Sequence, residues 1–270
     1  MNGIANVTEN LYTALEGTPH QPKDNAAQRQ ANVILFWLGF WGFSPAWIMQ
    51  LLLDVASPGT VSKALALLKS GPKPLVQRHG LSDGLPHIKR RPSWTCWALT
   101  NEGFESLQAR SPFAAPQGRF QPPFPFDWKD SFATQYMTIH CAHLLPLEEL
   151  DWEHHRNRDR RPDDAWYSKV PDMTLVAATG ERISLEADPS RKSETQRLEQ
   201  IRRVIADLVD GRYQATIFGV VPGQECHYED SLDDALRLEA ETHGQSLHHL
   251  IDSRVRILPL QCMKKFRVAS

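Results

Sequence analysis

Three carboxylates and one ammonium group gather in two short stretches of this chain, Val170-Pro171-Asp172 and Glu186-Ala187-Asp188-Pro189-Ser190-Arg191-Lys192. Clustered like charges repel and raise one another's carboxyl pKa, so a set held close together calls for a positive partner. Donors that are all oxygen suit Mg2+ or Mn2+, which keep several waters and bind through a few carboxylates plus substrate phosphate. An ion there would polarise a phosphoryl oxygen and acidify an attacking water, with Lys192 neutralising charge that develops on the phosphorane or orienting the water. Asp172, Glu186 and Asp188 are the metal-ligand candidates, and with Lys192 they are the catalytic candidates. The bland alternative is a surface hairpin whose charged groups are simply solvated.

The elements that would position these groups can be read locally. Residues 174–178 are apolar and β-tolerant, Thr179-Gly180-Glu181 reads as a turn, and 182–188 alternates, with Ser184, Glu186 and Asp188 on one face and Ile183, Leu185 and Ala187 on the other. A three-residue loop pairs Ala178 with Arg182 and sets Asp172 opposite Asp188. Pro189 ends the strand. Ser193 and Gln196 form a capping box for a helix with Leu198, Ile201, Ile205 and Leu208 on one face, closed by Gly211.

Thr138-Ile139-His140, Pro171-Asp172 and the Glu186-to-Lys192 junction follow one another in an order that resembles a known family. The segment 127–260 is similar to the restriction-endonuclease fold with its PD-(D/E)xK motif, in the variant of replication-relaxation proteins and the MOBC class of plasmid mobilisation relaxases. One departure is plain. The usual nuclease lysine lies two residues after the acid, where this chain has Asp188, so Lys192 reaches in from the helix start. The resemblance implies a winged helix followed by an α-β-β-β-α-β nuclease-like domain, a mixed α/β architecture. It also implies a role for His140 in binding the scissile phosphate or as general acid. The setting the resemblance implies is mobilisation or replication from a plasmid origin, with duplex DNA, an accessory DNA-binding protein and a coupling ATPase as partners. Glu153, on a strand read over 148–155, is a further candidate metal ligand.

The front of the chain reads as the DNA-docking module, over residues 25–111. A helix over 25–38, a second opened by Ser44-Pro45 and running to about Val55, and a third capped by Ser57 or Thr60 precede strands over 74–81 and 93–99. The third helix buries Val61, Ala64, Leu65 and Leu68 and leaves Ser62, Lys63 and Lys69 for the major groove. The loop 82–92 between the strands holds His87, Lys89, Arg90 and Arg91, which would neutralise phosphates. Trp97-Ala98-Leu99-Thr100-Asn101-Glu102-Gly103 resembles the step that closes many winged helices.

Residues 112–127 carry five prolines and read as a semi-rigid linker, and 128–270 as the nuclease-like domain. Residues 25–111 hold nine Lys/Arg against four Asp/Glu, and residues 112–270 twenty against twenty-five. Helices are read over 128–145 and 232–242, and strands over 214–221 and 254–260. Arg156, Arg158, Arg160 and Arg161 precede the acidic motif, where they either grip DNA or are solvated.

Several function classes are disfavoured. No GxxxxGK(S/T) or GxGxxG loop is present, which argues against nucleotide-driven unwinding by this chain. The four cysteines are scattered without a CxxC pair, as for reduced thiols, and no apolar run reaches the roughly 18 residues of a membrane span, so a cytoplasmic protein is expected. His143 and the 154–155 and 248–249 histidine pairs are read as structural. Tyr136, Tyr167 and Tyr213 lack an accompanying histidine triad, which favours activated water over a tyrosine nucleophile. Two other readings stay open: a non-catalytic DNA-binding regulator whose nuclease fold has decayed, and a stand-alone nuclease with little origin preference.

Overall fold

The computed structural model describes residues 26–80, 95–110, 128–144, 151–153, 171–176, 180–243, 247, 251 and 253–261. The chain divides into two compact units, Met1–Trp128 with Ala142–Leu144, and Lys129–Cys141 with Leu145–Ser270. The protein is mixed α/β.

The first unit runs α1 (Ala26–Trp41), β1 (Phe43–Ser44), α2 (Ala46–Leu52), α3 (Pro58–Lys69), β2 (Val76–Gly80), β3 (Thr95–Leu99) and α4 (Asn101–Arg110). Its antiparallel sheet has the order β1-β3-β2. The second half of helix α1 is apolar almost all round, and Val33 to Leu38 are buried, so this half forms the centre of the unit. Ser57 caps α3 by accepting the Gly59 N–H, with Pro58 in the first turn, and the buried face is Val61, Ala64, Leu65 and Leu68 as expected. Ser44 departs from its expected role. It lies in β1, and its buried hydroxyl accepts from Trp37 Nε1 at 3.1 Å, so Pro45 stands at the N-cap of α2 with no side-chain cap. The second helix also stops short of Val55, at Leu52, where Asp54 turns the chain at φ 49°.

The Thr100 to Gly103 step has a physical basis. Thr100 Oγ1 donates to the Pro74 carbonyl at 2.6 Å and accepts the Gly103 N–H at 3.0 Å, which ties the start of α4 to the chain before β2. A Cβ on Gly103 would lie 1.9 Å from the Leu75 carbonyl oxygen, a backbone atom already bonded to the Thr100 N–H. Gly103→Ala is therefore expected to destabilise this unit by about 2 kcal/mol or more, read as a lower midpoint in urea unfolding.

The second unit runs from Lys129–Cys141, the larger part of α5 (Trp128–Leu144), through β4 (Asp151–Glu153), β5 (Met173–Val176), β6 (Arg182–Asp188), α6 (Glu194–Val209), β7 (Ala215–Val220) and α7 (Glu225–His243) to β8 (Val255–Pro259). The sheet order is β4-β5-β6-β7-β8, antiparallel through β6 and parallel from β6 to β8. Helix α7 begins seven residues earlier than expected, because its first two turns are polar and give no apolar stripe to read.

Both faces of the sheet are covered, and this decides where the acids go. On one face Phe218 and Val220 join Ile201, Val204, Ile205 and Leu208 of α6 and Tyr228, Ala235 and Leu236 of α7 in one core. On the other, a Cβ on Gly219 would meet Met137 Sδ of α5 at 2.2 Å, so the missing side chain lets α5 close onto the sheet. Strand β6 is consequently buried along its length past Arg182, and its alternation sorts residues between two interiors, not between core and water.

The β5–β6 register differs from the expected one. Met173 pairs with Leu185 and Val176 with Arg182, so five residues, 177–181, separate the strands and Asp172 comes opposite Glu186, not Asp188. A two-residue shift preserves the face of every side chain. Ala178, the linker 112–127 and the loop 82–92 lie outside the described residues.

Candidate active site at the carboxyl end of β6

Strands β6 and β7 are parallel, and the helix after each starts at their carboxyl ends. Brought together there are the end of β6, the entry to α6 and the first turns of α7. The crevice beyond the carboxyl ends of parallel strands is where sheets of this kind gather polar groups, and two helix N-termini add partial positive charge. Local sequence makes the entry to α6 firm: Ser193 Oγ accepts the Gln196 N–H while Gln196 Oε1 accepts the Ser193 N–H, the expected capping box.

Glu186 and Asp188 are side by side on the face of β6 that meets α6 and α7, and only 2% and 4% exposed. A buried carboxylate needs partners, and the two helices supply them. Gln200 Nε2 on α6 donates to Glu186 Oε2 at 3.2 Å. Tyr228 on α7 donates its hydroxyl to Asp188 Oδ2 at 2.5 Å. Lys192 Nζ pairs with Asp188 Oδ1 and donates to Gln200 Oε1, which links the two acids through one ammonium and one amide. Arg197 encloses the group: its guanidinium donates to the Lys192 carbonyl at 2.8 Å and to Ser231 Oγ at 3.4 Å, and lies 5.9 Å from the Tyr228 ring centroid. Burial, then the Asp188 carboxylate, hold the Tyr228 phenol far above its ordinary pKa against the opposing pull of Arg197, so it stays a hydrogen-bond donor at neutral pH.

Asp172 serves a different end. Its Oδ2 accepts the Ala187 N–H at 2.8 Å, and its own N–H donates to the Leu185 carbonyl at 3.1 Å. Pro171 has no N–H, and the Asp172 carboxylate extends the pairing past the strand end. Among the described residues no three Asp, Glu, His or Cys side chains come together as a group able to hold a metal ion. The three-carboxylate shell expected from the sequence is replaced by a buried pair, Glu186 and Asp188, with Asp172 at the neighbouring backbone. Two carboxylates with water and phosphate still match the way Mg2+ is commonly held, so the donor chemistry fits that ion.

Compared with known proteins, the chain matches no family model, no curated protein and no solved structure.

The remaining expected residues fall as follows. His140 is exposed on α5, stacked on Tyr136 with centroids 5.9 Å apart. Helix α5 packs on the sheet face opposite Glu186 and Asp188, so the fold does not bring His140 to them; partial desolvation of its otherwise accessible ring lowers its pKa. Glu153 sits in β4, paired with Thr174 and separated from β6 by β5. Tyr213 is in the core of the second unit. Cys96 and Cys141 are buried free thiols, and burial pushes the Cys141 thiol up to about 12 despite Arg256, which makes it inert.

In the first unit Ser62, Lys63 and Lys69 are exposed on α3. Ser62 turns its hydroxyl back to the Pro58 carbonyl at 3.1 Å, and Lys69 Nζ lies 5.6 Å from the Trp97 ring centroid. His87, Lys89, Arg90 and Arg91 lie outside the described residues, as do Arg156, Arg158, Arg160 and Arg161. Among the described residues no helix is long and apolar enough to cross a membrane.

Sequence reading missed Gln200, Tyr228 and Arg197. Gln200 carried a weak signal, an amide one residue from Ile201 on the buried stripe of α6. Tyr228 carried none, because it meets Asp188 only after a strand and two helices have folded.

Proposed function

We propose that this protein processes DNA at a plasmid origin, its second unit nicking one strand by metal-dependent phosphodiester hydrolysis and its first unit docking on the duplex. One observation carries the reading: two buried carboxylates and an ammonium meet at the carboxyl end of β6, beside the starts of two helices. The element order α-β-β-β-α-β within the second unit supports a restriction-endonuclease-like scaffold, and α-β-α-α-β-β-α in the first supports a winged helix. Glu186 and Asp188 would hold Mg2+ or Mn2+, which supplies charge neutralisation at the phosphoryl group and acidifies the attacking water. Lys192, moved off Asp188 when phosphate enters, would bind a phosphoryl oxygen, and Gln200 would keep Glu186 aimed at the ion. Arg197, fixed by Ser231 and the Lys192 carbonyl, keeps this turn rigid.

A second reading, a DNA-binding regulator with a decayed nuclease site, is favoured by how fully the ion pair and the Asp172 backbone contact occupy these groups. Incubating the protein with supercoiled plasmid and Mg2+ separates the two. Open circles that form only when one origin is present support the nickase, cutting of any plasmid supports a general nuclease, and retention without cutting supports the regulator. Lys89→Ala with Arg90→Ala is expected to lower the slope of log affinity against log salt by about two, measured by fluorescence anisotropy on duplex DNA.

A further inference from the structure

The geometry points to Tyr228 as a positioning residue for ion binding, the group that fixes the angle at which Asp188 presents its carboxylate. This rests on the proposed ion-holding role of Asp188 and Glu186. Asp188 is gripped on both oxygens, by Lys192 at Oδ1 and Tyr228 at Oδ2, from different elements and different directions. Two grips fix both side-chain torsions, whereas one would leave the carboxylate free to rotate. A carboxylate has about four lone-pair sites, so these two donors leave acceptor capacity for a cation. Lys192 belongs to a flexible stem that is 27% exposed, but Tyr228 cannot swing away. Its ring is 2% exposed, lies 5.8 Å from the Phe218 centroid on β7 and is overlain by Arg197, which Ser231 and the Lys192 carbonyl hold in turn. Tyr228 is thus the rigid reference of the site, set by the core between the sheet and the two helices, and it stays in place when Lys192 leaves.

Hydrogen-bonding partners of this kind change metal affinity when removed, and a merely structural hydroxyl does not. Mn2+ is titrated into the full-length protein and into Tyr228→Phe, followed by the loss of free-ion electron paramagnetic resonance signal, with Tyr213→Phe as a control that removes another buried tyrosine hydroxyl from the same core. Tyr228→Phe is expected to bind Mn2+ roughly 10-fold or more weakly, and Tyr213→Phe to stay within about twofold of the parent. A Tyr228→Phe protein that binds as tightly as the parent overturns the assignment of Tyr228 alone. Equal weakening in both variants overturns it too, since the loss is then generic. A parent that binds no Mn2+ overturns this assignment together with the ion-holding reading. A second measurement needs no variant to fold: with tyrosine labelled at 13Cζ, saturating Mg2+ is expected to move the Tyr228 resonance and leave Tyr213 in place. A Tyr228 resonance that ignores Mg2+ counts against the proposal.

Discussion

Lys192→Met is expected to lower the unfolding free energy at neutral pH by about 2 to 3 kcal/mol and to abolish nicking. Methionine keeps most of the aliphatic stem but removes the ammonium, and Asp188, 5% exposed at its side chain, is left with the Tyr228 hydroxyl as its remaining polar grip. Removing one partner of a fully buried pair costs roughly 3 to 5 kcal/mol; Lys192 keeps about a quarter of its side chain in water, so the loss is smaller. Gln200 loses a donor as well, which loosens its hold on Glu186. A double-mutant cycle separates pair from residue: Asp188→Asn in the Lys192→Met background should restore about 1 kcal/mol or more, because no uncompensated charge then stays buried. Chemical denaturation measures all four corners. Additive losses would mean that the ion pair contributes nothing to stability.

Glu186→Gln is the second large effect, and it separates chemistry from folding. Glutamine has nearly the same shape, and its amide oxygen can still accept from Gln200 Nε2, so stability should change by about 1 kcal/mol or less. What disappears is one of two charges proposed to hold the divalent ion. If the ion supplies about 4 kcal/mol of transition-state stabilisation, nicking falls roughly 1000-fold. Duplex affinity should hold, since the residues proposed to dock on DNA belong to the other unit. Nicking rates on supercoiled plasmid, set beside anisotropy on a duplex, check both halves. Asp172→Ala should behave differently, because its carboxylate serves the Ala187 backbone amide; there a fall in stability accompanies any fall in activity.

How much of this was legible in the sequence follows from the range of each interaction. The capping box at Ser193 and Gln196 and the turn at Gly211 with φ 73° are encoded within a few residues and were readable, and the start of α3 was narrowed to Ser57 or Thr60, of which Ser57 is the cap. So was the face-sharing of Glu186 and Asp188, since strand alternation is strictly local. The β5–β6 register was not. The Thr179-Gly180-Glu181 turn marked where the chain reverses but not how many residues it uses, and an error of two leaves the hydrophobic pattern equally satisfied.

The burial of the acids was hidden for a related reason. An alternating strand with Ser184, Glu186 and Asp188 on one face gives no hint that this face lies under α6 and α7, and the residues that make burial tolerable are far off in sequence. Gln200 is 14 positions from Glu186, and Tyr228 is 40 from Asp188. The histidine on α5 shows the converse. His140 follows Ile139 in a motif that resembles a nuclease element, yet which face of the sheet its helix covers is set by Met137 against Gly219, a contact no local pattern announces.

The most direct test of the central claim, that Glu186 and Asp188 together hold a divalent cation, is a calorimetric titration of Mn2+ into the parent protein and into the Glu186→Gln/Asp188→Asn double variant, with circular dichroism confirming that both are folded. The parent is expected to take up about one ion per chain and the folded double variant none. A parent that takes up no Mn2+, or a double variant that binds as the parent does, would contradict the account.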